Sequence, residues 1–412
     1  MATSKPPEKK KLLILTSTFP RWYGDHEPPF VYELARRLTD HWEVHVLSPH
    51  TASLPTKEVF SDITVHRFRY APAALENLAY QGGMLARLKQ NPLRFLLLPL
   101  FLLATYLAAG FITRRESIDL IHAHWLLPMG LIAVLLKYTK IYNGPVICTS
   151  HGGDLFALRG KVTTLLKRFT IKLSDCITVV SNAMTDPVIA LGGNRQSIHI
   201  IPMGTDLGTL FTPPATPSDP DKLIFAGRLV KKKGVDTLLK AFKQVLKEEP
   251  QMQLYIAGEG PERAALENQT KDLGIAKNTY FLGGITQKNL ATLFKQAACA
   301  VFPFTITDNG DQEGFGLVIV EAMGCECAII ASPTPATRDI LKDGYNAILV
   351  EQKSPGQMSS AILHLRNNEE YRHKLANAGL TEIRKNFDWL TIADRYNTLL
   401  QSLLHPAPLN KG

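Results

Sequence analysis

A chain of 412 residues that is 45% hydrophobic and 20% charged has a soluble, globular composition, too long for one ordinary core and suited to two domains of about 200 residues each. Five Cys, of which only Cys325 and Cys327 lie close together, exclude a disulfide framework and a zinc site and point to a reducing compartment. The formal charge of +9 sits in one half, with 23 Lys/Arg against 14 Asp/Glu in residues 1–205 and 23 against 23 in 206–412, so the first half suits an anionic partner such as a membrane surface or an acidic glycan.

The N-terminus, MATSKPPEKKK, runs into an apolar strand too short for a signal-peptide core, and a cytosolic protein is expected. Apolar, β-branched runs predict strands at Leu12–Thr16, Val44–Leu47, Leu120–His124, Val146–Ser150, Ile177–Ser181 and Ile198–Pro202. A second series follows at Leu223–Gly227, Gln253–Gly258, Thr279–Gly283, Cys299–Phe304, Ala328–Ser332 and Ala347–Val350. Helical stretches separate most of them, so two parallel sheets covered on both faces are expected. The Pro-rich run Gly208–Pro220 fits neither a helix interior nor a central strand and reads as the linker. Phe95–Ile112 is 18 residues without a charge, bracketed by Arg94, Arg114 and Arg115. As a helix it reaches about 27 Å, nearly a bilayer core. Strands before and after it must share one sheet, which rejects a crossing. Two readings stay open: a helix packed on the first sheet and kinked at Pro99, or one whose outer face also meets lipid.

Ligands of doubly wound sheets gather at the carboxyl ends of the strands. After the first strand, Gly24 lies in a loop before a helix starting near Pro29 or Phe30, a placement suited to backbone contact with a diphosphate or acceptor. The pattern G-x-G-x-x-G is absent, which disfavours a dinucleotide cofactor, and no aromatic or basic nucleic-acid motif is present. His122 and His124 share a strand face, but without a third ligand they read as structural. His151 ends a strand, precedes two glycines and has Asp154 nearby; a loop His bonded to a carbonyl is its ordinary alternative. In the second half, Arg228 follows a strand and Lys233 precedes a helix, an arrangement favouring a dianionic group, with Lys231 and Lys232 as solvated neighbours. Gly258, Gly260 and Gly283 occupy strand-to-helix loops where backbone groups can meet a base, or serve as plain turns. In DNGDQEGFGLVIVEAMG, Glu313 and Glu321 flank the helix-start N–H groups of Phe315, Gly316 and Leu317, which attract phosphate or sugar oxygens. Asp308, Asn309 and Asp311 either contact such a ligand or form a solvated loop. Asp219-Pro220-Asp221 matches the D-x-D metal pattern but falls in the linker.

The segments GRLVKKKG, LYIAGEGPE, FLGGIT and EGFGLVIVEAMGCE, in this order, resemble the donor-binding domain of family 4 glycosyltransferases. DLIHAHW, TSHGGDLF, ITVVSNAM and IIPMGTDLGTLF extend the resemblance through the first half. It implies the α/β GT-B fold, two Rossmann-like doubly wound parallel-sheet domains facing across a cleft. The first would span 1–207, completed by a C-terminal helix at about 388–405; 208–220 would link it to a donor domain at 221–387. Arg228 and Lys233 would bind the donor diphosphate, Glu321 the ribose, and Glu313 with the Phe315–Leu317 N–H groups the transferred sugar. His151 would sit near that sugar and Gly24 close on the phosphates. The implied activity is transfer of a sugar, with configuration retained, from a UDP- or GDP-linked donor to a glycan or lipid-linked acceptor, in surface polysaccharide or glycolipid synthesis. No metal and no cofactor beyond the donor are implied, and an anionic membrane surface is a further candidate partner. The alternative is a nucleotide-sugar hydrolase, an epimerase or a non-catalytic binding subunit.

Overall fold

Apolar runs rich in β-branched residues build two separate sheets in the computed structural model, which describes residues 9–25, 29–52, 54–80 and 84–405. The first contains β1 (Lys10–Leu15), β2 (Trp42–Pro49), β3 (Lys57–Phe60), β4 (Ile63–Phe68), β5 (Leu120–His124), β6 (Val146–Ser150), β7 (Cys176–Val179) and β8 (Ile198–Ile200), in the order β3-β4-β2-β1-β5-β6-β7-β8. The second contains β9 (Asp219–Ala226), β10 (Gln253–Ala257), β11 (Thr279–Gly283), β12 (Ala297–Phe302), β13 (Ala328–Ala331) and β14 (Ile348–Leu349), in the order β11-β10-β9-β12-β13-β14. Every pairing is parallel except β3 with β4. In each sheet the opening strand, β1 or β9, lies between neighbours that run away from it in opposite senses along the sheet. Such switch points leave a crevice at the strand ends.

Leu12 to Leu15 of β1 are fully buried, as a strand covered on both faces requires. Helix Val235–Glu248 lays Val235, Leu238, Leu239, Phe242 and Val245 on the second sheet, at the 3.6-residue period of one helical face. The chain divides into one unit of residues 1–180, 184–201 and 392–412 and another of 181–183 and 202–391. The change of unit after Ile201 has a packing reason: Leu207 and Phe211 are buried so closely against Gly324 that a Cβ there would lie 2.7 Å from each. The end of helix Trp389–Leu404 belongs to the first unit, where Trp42 Nε1 donates to Asn397 Oδ1 at 2.9 Å and Tyr396 is buried beside Thr149 and Thr178.

Three expectations change. The β3–β4 hairpin is additional; Ser61 and Asp62, both at positive φ, make its two-residue turn, and the exposed edge strand Lys57–Phe60 lacks a continuous apolar run. Asp219 and Pro220 open β9 instead of ending a linker, and Asp221 accepts from Arg366 Nε at 3.0 Å, which gives the D-x-D triplet a structural role. Pro99 produces no kink: a 3₁₀ segment, Pro92–Leu97, leads into helix Leu98–Arg115, and Pro99 sits in the first turn, where its missing N–H is not needed.

Candidate active site

At the carboxyl edge of the second sheet, backbone hydrogen bonds continue past the strand ends and tie three loops together. Gly227 N donates to Ala257 O at 2.9 Å, Leu229 N to Glu259 O at 2.9 Å and Gly258 N to Gly283 O at 2.8 Å. A Cβ on Gly258 would lie 2.0 Å from Gly227 O, and one on Gly260 2.2 Å from Leu229 O. These glycines are therefore required by loop-to-loop contact, whatever approaches from outside. Gly283, at φ 73°, lies under the Glu259 carboxylate, itself paired with Arg263.

The β9 loop carries Arg228, exposed, and then the turn Lys231–Lys233. Gly234 ends that turn at φ 65°, where a Cβ would meet Pro303 O at 1.9 Å. Lys233 is buried and its Nζ lies 2.7 Å from Glu313 Oε2 and 4.3 Å from the Phe304 ring centre. Burial would raise the Glu313 carboxyl, but the charges of Lys233 and Lys232 outweigh it and hold the group below its ordinary value. Lys232 is not a solvated neighbour: its Nζ donates to Asp311 Oδ1 at 3.1 Å and Gln312 O at 3.0 Å. Asn309 Oδ1 accepts from Asp311 N at 3.1 Å, so this polar loop is held by its own side chains and by Lys232.

Three residues beyond Glu313, the backbone turns through Gly316 at φ 93° into helix Leu317–Gly324. The N–H groups of Phe315, Gly316 and Leu317 find no backbone acceptor among the described residues. Phe315 is fixed by burial and by Phe387, 5.5 Å away ring to ring. Glu321 is 7% exposed, and burial pushes its carboxyl up to about 7. One edge thus presents an ion-paired carboxylate, an exposed guanidinium, open N–H groups and a carboxyl near neutrality.

In the first unit, His151 follows β6, and its ring meets three others: Nε2 lies 2.9 Å from His124 Nδ1, while Phe30 and Trp125 lie at 4.8 and 5.0 Å. Asp154, buried, accepts from Leu126 N at 2.7 Å, Ser150 Oγ at 2.9 Å and His151 N at 3.2 Å, which locks the turn. His122 Nε2 bonds Thr149 Oγ1 at 2.7 Å. Burial lowers His122 and His151 to about 3 and His124 well below its usual value, so the cluster is neutral at pH 7. No set of three potential metal-binding side chains gathers among the described residues. Gly24, at φ 81°, ends the tip of a turn braced by the Arg21–Asp25 ion pair at 2.7 Å.

Residues 29–209 match the family model described as Glycosyltransferase Family 4, and 209–381 the one described as Glycosyl transferases group 1. An uncharacterized glycosyltransferase of Methanocaldococcus jannaschii is 30% identical over 290 residues, covering 70% of this chain and 77% of its own. The chain belongs to the family 4 glycosyltransferases. Another relative of this glycosyltransferase is the GDP-mannose-dependent monoacylated alpha-(1-6)-phosphatidylinositol monomannoside mannosyltransferase of Corynebacterium glutamicum, 27% identical over 311 residues, 72% of this chain and 79% of the relative. Anabaena HepE in complex with UDP-glucose superposes with a TM-score of 0.72 at 18% identity over 95% of this chain and 99% of that one. The fold is GT-B.

Two side chains of the glycosyltransferase, one in each unit, stand beside these groups without a sequence signal. Gln287 opens a helix after the β11 loop, and its Nε2 reaches Glu321 Oε1 at 3.5 Å. A Gln at a helix start is too ordinary to notice. Trp125 holds φ 72°, strained for an aromatic residue, and packs on His151. Only its neighbourhood to HAH hinted at a role.

Proposed function

We propose that this glycosyltransferase moves a sugar, with retention, from a UDP- or GDP-linked donor to a hydroxyl of a glycan or lipid-linked acceptor on the cytoplasmic side of a membrane, without a metal. The observation that carries the reading is the Lys233–Glu313 pair beside the open N–H groups of Phe315 to Leu317. Glu313 fixes Lys233 in place, so an arriving diphosphate meets a cation that is already positioned. Arg228 adds a second, and its planar guanidinium suits two phosphate oxygens. Glu321, with Gln287 against it, accepts the ribose hydroxyls. Gly258, Gly260 and Gly283 bring backbone close to the base, and Glu313 and the N–H groups of Phe315, Gly316 and Leu317 hold the sugar. His151 and Gly24 act from the first unit.

In the reaction the bond from the anomeric carbon to the diphosphate oxygen breaks, and the acceptor oxygen bonds that carbon on the same face. The acceptor proton passes to the departing phosphate oxygen, so no separate base is needed. Charge gathers on the diphosphate, and loss of Arg228 removes about 2–4 kcal/mol of its stabilisation. HepE with UDP-glucose and the GDP-mannose-dependent relative support the donor class, and the phosphatidylinositol monomannoside in the name of the latter supports a lipid-linked acceptor.

The test is a thermal-shift screen of nucleotide sugars, in which a donor at a hundred times its dissociation constant adds about 2.7 kcal/mol. Product analysis follows with the labelled donor, with and without EDTA. A glycosylated acceptor of unchanged anomeric configuration is expected in both. Water as the only acceptor makes the protein a hydrolase, unchanged donor makes it a binding subunit, and loss restored by manganese overturns metal independence.

A further inference from the structure

We propose that the first unit carries a docking surface for an anionic phospholipid bilayer, formed by helices Leu98–Arg115, Leu131–Tyr138 and Lys161–Leu173. This goes beyond the transfer reaction and does not rest on it. The three helices stand side by side. Tyr106 OH and Thr139 Oγ1 join the first two at 2.8 Å, and the rings of Tyr138 and Phe169 join the second to the third at 5.8 Å.

Helix Leu98–Arg115 is apolar all round but covered on one side only. Phe101, Thr105, Ala109 and Ile112 are buried, while Leu100, Leu103, Leu107 and Phe111 are 50 to 61% exposed. The exposed set recurs every three or four residues, so it forms one stripe along the helix. Leu93 and Leu96 extend that stripe into the preceding 3₁₀ segment, and Tyr138, Val162 and Leu165, all more than 60% exposed, add to it from the adjoining helices. So much exposed aliphatic surface marks an interaction site. The helix does not cross a bilayer, because β4 before it and β5 after it lie in the same sheet.

Charge decides the occupant. No Asp or Glu occurs between Glu76 and Glu116, between Asp119 and Asp154, or between Asp154 and Asp175. These spans contain all three helices, and Arg114, Arg115, Lys140, Lys161, Arg168 and Lys172 are exposed on them or at their ends. The nearest carboxylates are already engaged, Glu116 with Lys57 and Arg115 at 3.8 Å and Asp175 with Lys137 at 2.5 Å. An aliphatic stripe on three helices that carry cations and no carboxylate matches the boundary between acyl chains and anionic headgroups. A second copy of the chain would set cations against cations.

The experiment is sedimentation of the whole protein, without substrates, with vesicles of phosphatidylcholine alone or mixed with phosphatidylglycerol, at low and high salt. Binding to the mixed vesicles at low salt is expected, with severalfold loss at high salt. Leu103→Glu/Leu107→Glu abolishes it with an unchanged circular dichroism spectrum and thermal transition, and Leu103→Ser/Leu107→Ser serves if the first variant does not fold. Arg114→Gln/Arg115→Gln weakens it about fivefold per cation. No binding to mixed vesicles at low salt overturns the proposal, as does binding that survives the Leu103/Leu107 changes. So does a concentration-dependent dimer that those changes dissolve, since the surface would then join two copies. Because no donor or acceptor is present, a failure here is separate from a failure of the transfer reading.

Discussion

Glu313 and Glu321 lie on one segment yet titrate in opposite directions. Burial raises Glu321 to about 7, so the folded chain holds that proton more tightly than the unfolded chain. Its contribution to stability is complete below about pH 4.5 and is lost as pH rises through 7. At Glu313 burial is outweighed by Lys233 and Lys232, so its contribution is present above about pH 4.5 and is lost as pH falls through the lowered value. Glu321→Gln is therefore expected to match the parent at pH 5 and to exceed it at pH 8 by about 3 kcal/mol in urea unfolding, while donor affinity falls. Equal destabilisation at both pH values would count against this assignment. The two cations also separate. Lys233→Ala strands the Glu313 carboxylate and costs about 3 kcal/mol of stability along with turnover; Lys233→Met/Glu313→Gln recovers the stability and not the turnover. Arg228 is exposed, and Arg228→Ala is expected to give a slow enzyme with the circular dichroism spectrum of the parent. The sequence showed each of these side chains but not that Lys233 meets Glu313, because residues 80 apart in the chain have no local pattern that joins them.

Elements were legible wherever a buried strand had to be continuously apolar. β5, β6 and β11 have the expected bounds, and Gly316 marks the start of its helix as expected. Legibility failed where burial was partial. β3 is an exposed edge strand, and β9 begins in the stretch Asp219–Lys222, which has no apolar run and is recruited by pairing of Asp219 with Ala297 and of Lys222 with Gln253. The strand-end glycines illustrate a different limit, since spacing cannot distinguish a glycine that admits a ligand from one that admits a neighbouring loop. Gly258→Ala decides the matter. Its Cβ would meet the Gly227 carbonyl, and a loss of about 3 kcal/mol is expected even without donor. Thermal unfolding of the ligand-free protein measures it, and a parent-like Tm with lost donor binding would return Gly258 to a ligand role alone.

On the scale of the whole molecule, the path of the chain matters as much as the two sheets. Apart from Ser181–Ala183, the second unit is an insertion: the chain leaves the first unit after Ile201 and re-enters it at Ile392. Tyr396 and Asn397, which come last, complete a core begun by Trp42, Thr149 and Thr178. Recombination between related enzymes is constrained accordingly. A chimera with one junction, near 202, gives the first unit a closing helix from a foreign parent, and its Tm is expected to fall by several degrees. Exchange of 202–391 with both junctions keeps the first unit whole and leaves only Ser181–Ala183 of the second foreign, and it is expected to unfold much like the parents. On the proposed donor role of the second unit, inheritance of a new sugar donor is thus a cassette event, needing two crossovers in one step and not a simple swap of tails.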